Sequence, residues 1–314
     1  MRFKMSILTF LNAMPGAIAQ GMIWGIMAIG VYITYKVLDI ADLSVDGSIC
    51  TGGAVCAMMM LAGFPAWIAM LAALAAGMLC GLATGIFHVF MGIPAILAGI
   101  LTQLSLYSVN LKIMGQANQG LSPRNYPVMV SMQFLKRANP FENTIVVVIL
   151  FVLVLIAVLY WFFGTELGCS IRATGNNEHM ARAQGINTNR NKIIGLVLSN
   201  GIVAFAGALL TQYQGFADVS MGRGAIVVGL AAVIIGHALF GKLLRHNFAL
   251  MLLQVVLGGV VYYVVYQTVI LFGLDPDLLK MLSAIVVAIF LAVPYWKKRY
   301  FSKGRLGKGV NNHA

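Results

Sequence analysis

The sequence predicts an all-α integral membrane protein, a single membrane domain of about nine transmembrane helices containing an inverted internal repeat. Composition is the first observation behind this: 60% of residues are hydrophobic, 10% are charged, and the mean hydropathy is +0.89. A chain of that make-up has lipid as its main solvent. Continuity is the second. Runs such as LQVVLGGVVYYVVYQTVILF and TIVVVILFVLVLIAVLYWFF are too long and unbroken for barrel strands of about ten alternating residues. The third is a recurrence: Ala41 to Ser44 reads AlaAspLeuSer, and Ala217 to Ser220, 176 positions later, reads AlaAspValSer.

In order, the apolar segments are 15–36, 47–62, 66–88, 93–112, 143–163, 192–212, 224–240, 247–272 and 278–296. Each is nearly free of charge, as the cost of a central Asp, Lys or Arg requires. The N-terminus lacks the small-residue cleavage site of a secretory signal, so 15–36 is expected to remain as a span. Segment 143–163 links two repeat units, about 15–113 and 192–296, and is followed by a polar loop, 164–191; a basic tail, 297–314, closes the chain. Gly77, Gly81 and Gly85 recur at four-residue spacing in 66–88 and permit close helix contact, within the chain or at a seam between copies.

The formal net charge of +12 does not point to nucleic acid, because six Lys or Arg lie between Lys297 and Lys308, directly after the last span. A basic juxtamembrane tail marks the cytoplasmic side. Arg172, Arg182, Arg190 and Lys192, and then Lys242 and Arg245, fall on that same side if every segment crosses. Loop 113–142, the acidic turn Asp275 to Asp277 and the N-terminus are then outside. Arg2 and Lys4 would prefer the inside, and an eight-span path with 44–62 re-entrant accommodates them equally well.

The repeat bears on this choice. At the same offset, 15–36 lands on 191–212 and Gly53 lands on Gly229. If the first four spans match the last four, five crossings separate them, so the two units run in opposite senses. Transport paths commonly occupy the interface of such repeats, beside short or broken helices. Asp42, Ser44, Asp46 and Gly47 in the first unit, and Asp218, Ser220 and Gly222 in the second, are therefore candidates for the path or its gate. Asp42 and Asp218 are functional by default at such depth, or they cap the short helices that follow. Gln103, Asn110, Asn200 and Gln254 face the path or bond to neighbouring helices.

The polar island Ser170 to Asn187, SIRATGNNEHMARAQGIN, interrupts the apolar pattern between two long runs. Gly175 is expected to break the incoming chain, Asn176 or Asn177 to cap a helix, and Gly185 to stop it after about two turns. The result is a short amphipathic helix on the membrane surface. It suits a groove on a soluble partner, with Met180, Ala181 and Ala183 as apolar contacts and Glu178 and Arg182 as polar ones.

Other chemistry is thinly represented. Cys50, Cys56, Cys80 and Cys169 stand singly, without metal or disulfide spacing, and His88, His179, His237 and His246 sit at span ends. GlyHisAlaLeuPheGlyLys, 236–242, imitates a phosphate-binding loop, but Leu243 replaces the Ser or Thr that would hold magnesium. No clustered nucleophile or acid–base pair marks a membrane enzyme. An ion-coupled secondary transporter is the alternative function, although spans 66–88, 192–212 and 247–272 lack the buried carboxylates it would use.

The island resembles the ATPase-coupling loop of permease subunits of bacterial ABC importers of the branched-chain amino acid and ribose type. There a Glu precedes a Gly by seven residues and IleAsn follows, as Glu178, Gly185, Ile186 and Asn187 do here. LeuAspIleAlaAspLeuSerValAspGlySer, 38–48, is similar to the family's AspLeuSerXaaGlySer segment, with Asp46 inserted before Gly47. LeuAlaGlyIleLeuThr, TyrGlnGlyPheAlaAsp and GlyLeuAlaAlaValIleIleGly, at 97–102, 213–218 and 229–236, are similar to a subgroup encoded beside a substrate-binding lipoprotein. Some of its members are associated with aromatic amino acid uptake. The resemblance covers about 15–296 and implies a type II importer fold with no reaction chemistry on this chain. It further implies ATP and Mg on a separate ABC ATPase docked at Gly175 to Asn187. The other implied partners are an extracytoplasmic binding protein or lipoprotein and a second permease copy in the inner membrane, with the solute an amino acid or related compound.

Overall fold

A computed structural model describes residues 7–123, 126–135, 143–241, 244, 247–271 and the positions 281, 284, 285, 288, 289 and 292. Span 278–296 lies almost wholly outside the described residues, as do tail 297–314, Asp275 to Asp277, Lys242, Arg245 and His246. The described chain is almost entirely helical. It forms α1 (Ile7–Tyr32, continued by a π-helical turn Ile33–Val37), α2 (Val45–Leu61), α3 (Ala66–Val89), α4 (Ala95–Met114) and α5 (Thr144–Gly164). There follow α6 (Glu166–Asn176), α7 (Glu178–Ala183), α8 (Thr188–Gln214), α9 (Ala225–Phe240) and α10 (Phe248–Leu271). Two three-residue strands, β1 (Asn118–Gly120) and β2 (Phe216–Asp218), pair antiparallel with Asn118 opposite Asp218.

Asn and Thr side chains set several helix starts, as short oxygen-bearing side chains satisfy otherwise orphaned amides. Asn143 Oδ1 accepts from Ile145 N at 3.0 Å, Thr165 Oγ1 from Gly168 N at 3.3 Å and Asn187 Oδ1 from Arg190 N at 3.1 Å. Six helices are long and apolar enough to cross a membrane. Helices α2 and α9, with 17 and 16 residues, reach only about 25 Å at about 1.5 Å per residue. That is short of the roughly 30 Å hydrocarbon layer, and each is completed by a non-helical segment before it.

Contacts with α8, the most buried of the later spans, give the chain path. Tyr213 Oη donates to the Gly16 carbonyl at 3.1 Å, so α1 begins beside the C-terminal end of α8. It ends beside α6, where Gly175 abuts the Val37 carbonyl. Residues 38–44 then turn back into the bundle. Helix α2 continues from Asn200, met by Ser48, to Gln212, met by Cys56. Helix α3 returns, with Gly77 against Asn200 and Ala204, Gly81 against Leu196 and Gly85 against Ile193. The glycine row thus packs inside the chain. Helix α4 rises from the Thr84–Thr102 contact, α5 runs back to α6, and α9 approaches α1 with Gly229 on Met27 and Val31. Helix α10 rises from Phe248, whose ring lies 6.5 Å from that of Tyr32, to Val260 beside Gly21.

Successive crossings from α1 to α10 therefore alternate in direction, and α1 begins at the end opposite α6 and α7. Segment 44–62 does not form a re-entrant hairpin. Gly52 and Gly207 let α2 lie directly on α8, at Ala204 and Ile49, and it follows α8 to the far end. A second departure concerns Gly175. It lies inside α6 and breaks nothing; a Cβ there would collide with the Val37 carbonyl, so its smallness serves a close helix crossing.

Candidate functional site

The first site is the platform made by α6 and α7. Asn177 turns extended between the two helices and its Oδ1 accepts from Met180 N at 3.0 Å, capping α7. Ile186 N reaches back to the Ala181 carbonyl at 3.1 Å while Gly185 takes φ +81°. That is a Schellman-type stop, which favours glycine. Glu178 then fixes α7 to the start of α8: Lys192 Nζ donates to both carboxylate oxygens at 2.8 Å and Arg182 Nη2 to Oε1 at 2.8 Å. Thr188 Oγ1 accepts from Arg182 Nη2 at 3.0 Å. The Lys192 hydrogen bond, foremost, holds the Glu178 carboxyl below the usual carboxylate range.

The helical period divides the expected apolar contacts. Met180 is 62% exposed, whereas Ala181 is 4% exposed and faces the body of the protein. Ala181 is thus withdrawn from any docking face. Met180 and Ala183 remain outward, with Arg182 beside them and Ile186 half-buried. Asn176 is the last residue of α6, and Asn187 caps α8.

The second site is the junction of the two repeat units. Asp42 and Asp218 make the same turn. Asp42 Oδ1 accepts from Ser44 N at 2.9 Å and from Ser44 Oγ at 2.5 Å; Asp218 Oδ1 accepts from Ser220 N at 2.6 Å and also from Ser220 Oγ. Their surroundings differ. Asp42 is 2% exposed and joins a buried network in which Asn200 Nδ2 donates to Oδ2 at 2.7 Å and Ser48 Oγ to Asn200 Oδ1 at 2.6 Å. This network ties α2 to α8. Asp218 sits at the far end on β2, with Asn118 Nδ2 at 3.4 Å.

Asp46 joins the units directly. From the first turn of α2 it accepts Gly224 N and Ile226 N, both at 2.9 Å, and so caps α9 across the repeat boundary. A cavity of about 320 Å³ opens beside it, lined by Asp46, Gly47, Gln103, Tyr107, Asn110 and Arg223 among others. Of the residues expected to line a path, Asp46, Gly47, Gln103 and Asn110 reach this cavity. Asp42 and Ser44 are sealed in the Asn200 network, Gly222 is packed on the Asp46 carbonyl and Ile49, and Asp218 and Ser220 lie toward β2. Asn200 is likewise a packing residue. Among the described residues no group of His, Cys, Asp or Glu could hold a metal ion.

Comparison with known proteins decides the family. Residues 14–293 match the family described as branched-chain amino acid transport system / permease component. The chain belongs to this permease family. Relatives of the permease include a tyrosine transport system permease protein of Clostridioides difficile, 38% identical over 90% of this chain and 91% of the relative. An uncharacterized protein of Rickettsia prowazekii is 32% identical over 90% and 98%. A galactofuranose transporter permease protein of Escherichia coli is 31% identical over 91% and 79%. The permease is thus a multi-pass membrane transport subunit.

Sequence reading of the permease overlooked Arg223 and Tyr107. Tyr107 had a signal, since it continues the row of Gln103 and Asn110 at helical spacing along α4. Arg223 had none, because only the pairing of Asp46 with the start of α9 brings it to α4.

Proposed function

We propose that this permease is the membrane subunit of an ATP-binding cassette importer that carries a small solute, an amino acid or related compound, inward. The platform carries the reading: α7 is capped, anchored through Glu178 and Lys192, and offers Met180 outward in the form of an amphipathic helix that enters a partner's groove. The partner is an ABC ATPase, which holds the ATP and Mg. A second permease copy completes the path and an extracytoplasmic binding protein or lipoprotein delivers the solute. The subunit sits in the bacterial inner membrane with α6, α7 and the C-terminus cytoplasmic. Similarity to the tyrosine transport relative supports the amino acid class.

In this mechanism the ATPase pair binds differently in its open and closed forms, and that difference drives the switch of access. Helix α7 transmits it rigidly because Glu178 locks it to α8. Helix α8 in turn holds α2 through Asn200, so displacement at the platform reaches the repeat junction through packed elements.

Co-purification with the ATPase encoded nearby tests this. Wild type is expected to retain the ATPase in detergent, and Met180→Arg and Gly185→Pro to lose it at unchanged expression. Equal retention by wild type and both variants removes the platform as the coupling site. Absence of any ATPase partner, with transport driven by an ion gradient, replaces the import reading by secondary transport.

A further inference from the structure

The cavity at the repeat junction has a chemistry that structural packing does not account for. Asn110 is 1% exposed; its Nδ2 donates to the Gly47 carbonyl at 3.5 Å, but its Oδ1 has no partner. A buried unpaired acceptor costs about 1–3 kcal/mol, and buried polar groups are almost always satisfied. Arg223 borders the same cavity, and its guanidinium has no ion-pair or hydrogen-bond partner among the described residues. Asp46 faces it from the opposite unit, with its charge held by the start of α9. A free cation, an anion and an unfilled acceptor therefore converge midway along α4, at a depth where ionisable groups mark function.

We propose that this cavity is a transit site for a small zwitterionic amino acid. Arg223 binds the carboxylate, for which its planar fork is suited. Asn110 Oδ1 accepts from the ammonium group, with Asp46 supplying the opposing charge. Leu104, Val219 and Tyr107 border the remaining space and take the side chain. Asp46 disfavours a simple anion and Arg223 a simple cation, whereas a neutral sugar leaves the Arg223 charge uncompensated. The cavity's roughly 320 Å³ holds one such molecule. The permease itself then discriminates among solutes, in addition to whatever delivers them. This proposal rests on the import reading and deepens it.

Equilibrium dialysis of the full-length chain in lipid nanodiscs tests it with radiolabelled tyrosine and leucine as probes. Tyramine, which lacks the carboxylate, para-hydroxyphenylpropionate, which lacks the ammonium group, and galactose serve as competitors. Saturable binding of at least one probe is expected, with every competitor at least tenfold weaker. Arg223→Gln should lose the preference over tyramine and Asn110→Ala the preference over the deaminated acid. Arg223→Lys, which keeps the charge but loses the fork, should bind more weakly than wild type and more tightly than Arg223→Gln, and all variants should elute as wild type does in gel filtration. Absence of saturable wild-type binding overturns the site, as does galactose competing equally or Arg223→Gln binding as wild type does. If the site fails while the ATPase still co-purifies, the import reading stands; if the ATPase never associates, that reading fails whatever the dialysis gives.

Discussion

Glu178 shows how one side chain holds the platform. Its folded-state pKa is lowered, first by Lys192, so the stability it contributes is present above the unfolded value, about 4.3. That contribution is lost as pH falls through the folded value. The Glu178 side chain is 34% exposed, which limits the pairing to about 0.2–1 kcal/mol. Thermal melting in detergent should therefore place Glu178→Gln slightly below wild type at pH values from about 5 to 7, with the gap closing below about 4; a gap that widens in acid contradicts this origin. Two glycines in the same segment are expected to behave differently. Gly185 needs its positive φ but has open space around it, so Gly185→Ala should cost about 1 kcal/mol. Gly175→Ala drives a methyl into the Val37 carbonyl and should cost at least about 2 kcal/mol, in the range of overpacked cores. Equal melting temperatures for the two variants would mean that α6 can move away from α1.

Among the elements, the α3–α8 seam is the principal contact inside the first repeat unit's boundary with the second. Gly81 lies against the backbone at Leu196 and Val197, so Gly81→Leu should abolish a monodisperse peak in gel filtration. Leu79, 66% exposed on the other face, should tolerate Leu79→Ala with no such loss; matched behaviour of the two would place the seam elsewhere. The apolar helices described and α7 were legible in the sequence, because hydropathy and caps act locally, as Asn177 and Gly185 do; α6, inside what reads as polar loop 164–191, was not. Tertiary information was not legible. Gly175 reads as a breaker until Val37 is placed beside it, and Ala181 reads as a docking residue until the fold buries it. Asp46, an insertion in the sequence motif, acquires a purpose only when α9 begins at its carboxylate. Residue type indicated which positions carry polar chemistry, whereas the division between the sealed Asn200 network and the open cavity depended on packing.

At the scale of the whole molecule, the alternating path makes a prediction about sides. Residues 118–120 pair with β2 at one end of the bundle, and α7 lies at the other, because α4, α5 and α8 run between them. In a membrane the two ends face different compartments, and the import reading puts α7 in the cytoplasm. Cys169 is exposed whereas Cys50, Cys56 and Cys80 are buried, so a Cys169→Ala background leaves little native labelling. In that background, a membrane-impermeant maleimide should modify Ala117→Cys in intact spheroplasts and Ala183→Cys only after permeabilisation. Both positions reacting from one side would refute the alternating path itself. Reversed accessibility would preserve the fold but place the platform outside, where no ATPase could drive it. A tag before α1 should follow Ala117, since Tyr213 and Gly16 hold that end of α1 beside the end of α8. Arg2 and Lys4, whose charges read as preferring the inside, lie outside the described residues.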